Sequence, residues 1–135
     1  MTIVTAFLTL NPLAVLVALI SHFAIGVIWY HPAIFGKAWA KLSDREMKPD
    51  PKWMPVGFVA HIFYTLALAV IVNLAQATTV IEGALIGIMV SIGFIGTILI
   101  NDLVFLKTPF RLFLLKFGDE FIALIVAGII LAVWK

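Results

Sequence analysis

The chain has 135 residues, 64% of them apolar and only 12% charged, about half the charge of an ordinary soluble domain. Cysteine is absent, which excludes disulfides, thiolate zinc sites and iron–sulfur clusters. The net charge of +2 does not point to nucleic acid. Eight of the nine Lys and Arg residues lie in two short segments between apolar runs, where basic residues fix topology and meet anionic lipid headgroups.

Residues 1–10, expected to be an N-terminal extension, hold no Lys or Arg, and no small-residue cleavage site with polar flanks follows the apolar run, so a cleaved leader is not expected. A helix crossing about 30 Å of hydrocarbon needs roughly 20 apolar residues. Four stretches offer this: Pro12 to Tyr30, Met54 to Leu74, Val80 to Leu106 and Gly118 to Trp134. Asn11 with Pro12 is a helix start, and the prolines at 51 and 55 open the second stretch in the same way. A fourth helix begun at Pro109 would measure about 39 Å, so a break near Gly118 or a strong tilt is expected there.

After the first stretch, Phe35, Ala38, Trp39 and Leu42 recur at i, i+3, i+4 and i+7 with Lys37 and Lys41 opposite, the pattern of an amphipathic interfacial helix. Ser43 and Glu46 have capping-box spacing, which predicts a further turn. Residues 11–135 are thus expected to form an all-α membrane protein, a bundle of four transmembrane helices with an interfacial helix after the first span.

Lys37, Lys41, Arg45, Lys48 and Lys52 lie between the first two spans and Lys107, Arg111 and Lys116 between the last two, leaving Lys135 alone on the other side. The positive-inside rule then places both basic loops in the cytoplasm and both termini outside, in a multi-pass protein of the cell membrane.

Small residues mark the faces where membrane helices meet, and Gly26, Gly57, Gly83, Gly87 and Ser91 are the expected packing positions. Five ionisable residues, His22, His61, Asp102, Asp119 and Glu120, fall in the inner half of the spans, with Ser21 and Tyr64 as nearby hydrogen-bonding groups. Such groups usually face the bundle interior or a hydrated cavity. Each also has a local explanation: the histidines can bond a carbonyl or hydroxyl, Asp119 and Glu120 can complement a helix N-terminus and pair with Lys116, and Asp102 can pair with Lys107 or Arg111.

Two histidines and three carboxylates could in principle hold a divalent ion, but no HExxH or other tight ligand spacing occurs, and paired histidines for two haems are missing. No metal or other cofactor is assigned on spacing. Nucleophile contexts such as Gly-x-Ser-x-Gly are absent, so an enzyme is not expected.

The run Asn11-Pro12-Leu13-Ala14-Val15-Leu16-Val17-Ala18, then Gly26-Val27-Ile28-Trp29-Tyr30, then Phe35-Gly36-Lys37-Ala38-Trp39 resembles the opening of the membrane family called domain of unknown function 1761. Gly83-Ala84-Leu85-Ile86-Gly87, Gly93-Phe94, and Gly128 with Trp134 are similar to its closing half. The resemblance implies a small four-span membrane protein and no catalytic residue. The expected role is binding or permeation of a small solute or ion through an inward-facing polar cavity, with a non-catalytic accessory subunit of a larger complex as the alternative. Expected partners are the bilayer and a homo-oligomer or other membrane subunits.

Overall fold

The computed structural model describes residues 1–135 and contains helices only. A short α1 (Ile3–Leu8) precedes α2 (Pro12–Trp29), and the Asn11 side chain caps α2 by accepting from the amides of Leu13 and Ala14. A π-helical turn (Pro32–Gly36) leads into α3 (Lys37–Ser43), and a loop then connects to α4 (Met54–Leu74). The next span is interrupted, with α5 (Val80–Val90), a π-helical segment (Ser91–Gly96) and α6 (Thr97–Phe105) in continuous succession. The last helix is α7 (Phe110–Val133).

Three stretches are long and apolar enough to cross a membrane: Pro12–Trp29, Met54–Leu74 and Val80–Phe105. The expected fourth differs in composition rather than length. At 24 residues, α7 is about 36 Å long, but it carries Arg111, Lys116, Asp119 and Glu120. It is also the most enclosed helix, packing most extensively on α5, next on α2, and also on α4. No break occurs at Gly118, which instead makes room for the Trp29 ring. A Cβ there would lie 2.8 Å from the indole, whose Nε1 donates to the Leu115 carbonyl at 3.0 Å.

The bundle has a dry half and a polar half. Near the termini the core is built from small and branched residues, among them Ala14, Ala18, Ala69, Val72, Leu124 and Ala127. There α5 and α7 meet backbone to backbone, since a Cβ on Gly83 would fall 2.5 Å from the Gly128 carbonyl oxygen and one on Gly87 would overlap the Leu124 carbonyl. Ser91, fully buried, donates to the Ile88 carbonyl at 2.9 Å. Gly26 and Gly57 are different from this expectation: a Cβ at either meets nothing within 4 Å. On α2 the row Ala14, Ala18, His22 and Gly26, spaced by four, drifts about 40° per step on a 3.6-residue helix, so it leaves the packed face as it approaches its end.

At the same end, α1 folds back as a helix of its own rather than extending α2. Asn73 on α4 holds it, donating to the Ala6 carbonyl at 2.8 Å and the Thr9 hydroxyl at 3.0 Å, while Lys135 donates to the Asn73 carbonyl oxygen at 3.2 Å. The turn expected after Ser43 is absent. Its hydroxyl instead donates back to the Trp39 carbonyl, and Asp44 stops α3 in the left-handed region at φ 52°. A capping box does form at Thr79 and Glu82, which opens α5.

Candidate functional site

In the polar half, near the basic loops, α2, α4 and α7 bring four side chains together. His22 on α2, 4% exposed, meets His61 on α4 edge to face with ring centroids 4.9 Å apart, and Tyr64 at 5.4 Å. Its Nε2 lies 3.6 Å from Glu120 Oε2 on α7, and the Tyr64 hydroxyl donates to that same oxygen at 2.9 Å. His61 Nδ1 lies 2.8 Å from the Gly57 carbonyl one turn earlier. A carbonyl can only accept, so Nδ1 is the donor in this bond, and in the neutral ring the lone pair is then on Nε2. Phe23 packs 4.9 Å from the His61 ring and stacks on Phe58 at 5.5 Å, giving the cluster an apolar wall.

Asp119 stands beside this group. It is 7% exposed, and its Oδ1 is buried without a hydrogen-bond partner. A buried carboxylate oxygen left unpaired costs about 1–3 kcal/mol or more, which folded proteins normally avoid.

Open space adjoins these residues. One hollow of about 550 Å³ is bordered by His22, Gly26, Tyr30, His61, Asp119 and Glu120. A second of about 270 Å³ lies between Tyr64, Ile95, Leu99 and Lys116, and a third of about 360 Å³ extends under the loop at Glu46–Pro49. Tyr30 borders all three, so the hollows adjoin one another between this loop and the histidine pair. Beyond it lies the dry core: Ala14 is eight residues from His22 along α2, or about 12 Å.

Of the residues singled out in the sequence, His22, His61, Tyr64, Asp119 and Glu120 share this region, whereas Asp102 and Ser21 do not. Asp102 pairs with Lys116 at 3.4 Å, not with Lys107 or Arg111, and borders none of the three hollows. The reason is the π-helical segment at Ser91–Gly96. Its wider i to i+5 turn changes the angular phase of everything after it, so Asp102 does not return to the angle an unbroken helix would give. Ile95 and Leu99 border the hollow instead. Ser21 spends its hydroxyl on the Ala18 carbonyl at 2.7 Å.

Tyr30 and Lys116 were not singled out as site residues by the sequence. Their signals were present: Tyr30 ends the helix that carries His22, and Lys116 sits one turn before Glu120. Lys116 directs its charge at Asp102, so Glu120 is paired with His22 and Tyr64 rather than with the lysine.

No curated protein and no solved structure matches the chain. A family profile does match, over residues 13–132, nearly the whole chain. The chain belongs to the family described as protein of unknown function, DUF1761.

Proposed function

We propose that the chain is a four-crossing membrane bundle whose polar hollow opens to the cytoplasm and binds a small cation. The observation that carries this reading is the buried Asp119 carboxylate, unpartnered at Oδ1, beside Glu120 and two histidines at the edge of a hollow. Two carboxylates taken out of water need compensation, and the lysine nearest them is engaged with Asp102. A cation supplied from solution would provide that compensation.

The fourth crossing follows from the same economy of charge. Helix α7 has the length to cross, and its acidic pair faces His22 of α2 and His61 and Tyr64 of α4, toward the bundle interior where intramembrane ionisable groups belong. The eight-to-one distribution of basic residues supports placing the hollow on the cytoplasmic side. Binding is favoured over permeation. Beyond His22 lies roughly 12 Å of dry alanine- and leucine-rich core, and an ion placed there would cost several kcal/mol at least.

The chain has no cysteine, so single cysteines can be introduced without background. Leu99 borders the hollow and is 9% exposed, whereas its neighbour Ile98 points outward at 60% exposed. In membrane vesicles, a charged, membrane-impermeant thiol reagent added from the cytoplasmic side should label Leu99→Cys and spare Ile98→Cys. Equal protection of both positions would mean that no water reaches the hollow, and the reading would be abandoned in favour of an accessory subunit.

A further inference from the structure

We infer that His22, His61 and Glu120 form a binding site for one divalent transition-metal ion, with Asp119 supplying the second negative charge. The inference rests on the cation-binding reading above and names the ion class. One ligand atom from each of the three residues lies within 4.8 Å of the others, although they come from three different helices.

The chemistry of the donors fits. Tetrahedral ligation at about 2.0–2.1 Å sets donor atoms about 3.3 Å apart, so the 3.6 Å between His22 Nε2 and Glu120 Oε2 is nearly there. The widest pair must close by up to about 1.5 Å, which side-chain rotation can supply. Metal-binding histidines usually donate their other ring N–H to a carbonyl or carboxylate, which fixes the tautomer and orients the ring. His61 does so through the Gly57 carbonyl, and its Nε2 lone pair is left free. The Tyr64 hydroxyl donates to that same Glu120 Oε2 and so fixes where the carboxylate points.

Charge selects the valence. Two neutral imidazoles and two carboxylates balance an ion of charge +2, and Asp119 has the unpartnered oxygen with which to take part, as a ligand or through a bound water. Ligand type selects the element. Imidazole nitrogen suits zinc, copper, iron and nickel, while calcium and magnesium favour oxygen ligands. A purely structural polar cluster accounts for the Tyr64–Glu120 bond but leaves the Asp119 oxygen unexplained.

The test uses the full chain in lipid nanodiscs, stripped with chelator, then loaded with Zn(II) and, separately, Co(II). Zinc should be retained at one per chain, and Co(II) should develop visible ligand-field absorption that added zinc removes. Calcium and magnesium in large excess should not compete. His22→Ala, His61→Ala and Glu120→Gln should each weaken zinc binding about tenfold to a hundredfold, and Asp119→Asn should weaken it about tenfold. Ser21→Ala, whose hydroxyl is bonded away from the site, should bind as the parent does. Circular dichroism identifies any variant that fails to fold. The Glu120→Gln amide oxygen still accepts from Tyr64, so this variant removes the charge and keeps the bond.

Zinc retention by the parent no greater than by a His22→Ala/His61→Ala double variant overturns the inference. If Leu99→Cys is still labelled in that case, the hydrated cavity stands and only the metal is wrong. If Glu120→Gln and Asp119→Asn both bind zinc with the parent's affinity, the ion sits elsewhere and the assignment fails.

Discussion

Gly83→Ala is the sharpest perturbation of the bundle, because it adds one methyl group where two backbones already touch. The new Cβ would lie 2.5 Å from the Gly128 carbonyl oxygen and 2.8 Å from Ile129 Cα. Ordinary contact begins near 3.5 Å, so α5 and α7 must part by roughly 1 Å. Overpacking of this kind costs about 1–3 kcal/mol, and the upper end applies because every clashing atom is main chain with no rotamer to yield. Alanine recovers up to about 1 kcal/mol of helix propensity, leaving a net loss of about 2 kcal/mol. Gly57→Ala is the matched control. A Cβ there meets nothing within 4 Å, so only the propensity gain of up to about 1 kcal/mol remains. The two identical chemical changes should therefore differ by about 3 kcal/mol, roughly a hundredfold in the unfolding equilibrium. Reversible denaturation in mixed micelles, followed by circular dichroism, measures this directly. If Gly83→Ala proves as stable as Gly57→Ala, the close approach of α5 to α7 is not a feature of the protein.

Asn73→Leu should release α1, since the three hydrogen bonds made by that amide tie α1 and Lys135 to α4. At about 0.5–1.5 kcal/mol for each bond, amide hydrogen exchange in residues 3–8 should quicken at least about tenfold while α5 and α7 stay protected; unchanged exchange in α1 would show that the amide does not hold it. A reporter fused after Lys135 should lie outside the cytoplasm and one inserted near Asp50 inside, and finding both on one side would rule out a fourth crossing by α7.

Much of the fold is legible because lipid leaves few options. Apolar length locates α2, α4 and the Val80–Phe105 span, and Asn11-Pro12 marks the start of α2 to the residue. Local motifs are less decisive. Ser43 and Thr79 both stand three residues before a glutamate, yet only Thr79 opens a helix. An apolar run follows Thr79, whereas Ser43 leads into a charged loop rich in proline, so only the first capped turn has something to bury. The site is harder to read than the fold. His22, His61 and Glu120 are brought together by the packing of three helices, and no spacing within one segment announces that. Asp102 illustrates the opposite failure. An unbroken helix would turn it inward, and nothing in the pattern of Ser91–Gly96 reveals the π-helical turns that shift its phase.

The same π-helical segment explains why the polar half is hollow while the other half is dry. On α7 the row Glu120, Leu124, Gly128 runs up one side of the helix, drifting about 40° per step. At its upper members this row meets the glycines of α5 so closely that no side chain fits between them. Below Ser91 the α5–α6 span no longer follows α7 in the same register, and α6 packs on α7 much less extensively than α5 does. Gly96 meets the Phe117 ring of α7, and Ile95 and Leu99 are left bordering open space opposite Glu120. Close packing at one end thus fixes the position of α7, and loss of register at the other leaves open space beside its acidic pair. A stiff glycine seam beside a preformed polar hollow fits an ion site whose carboxylates are held ready before the ion arrives, since the main-chain contacts that position α7 do not depend on the ligand.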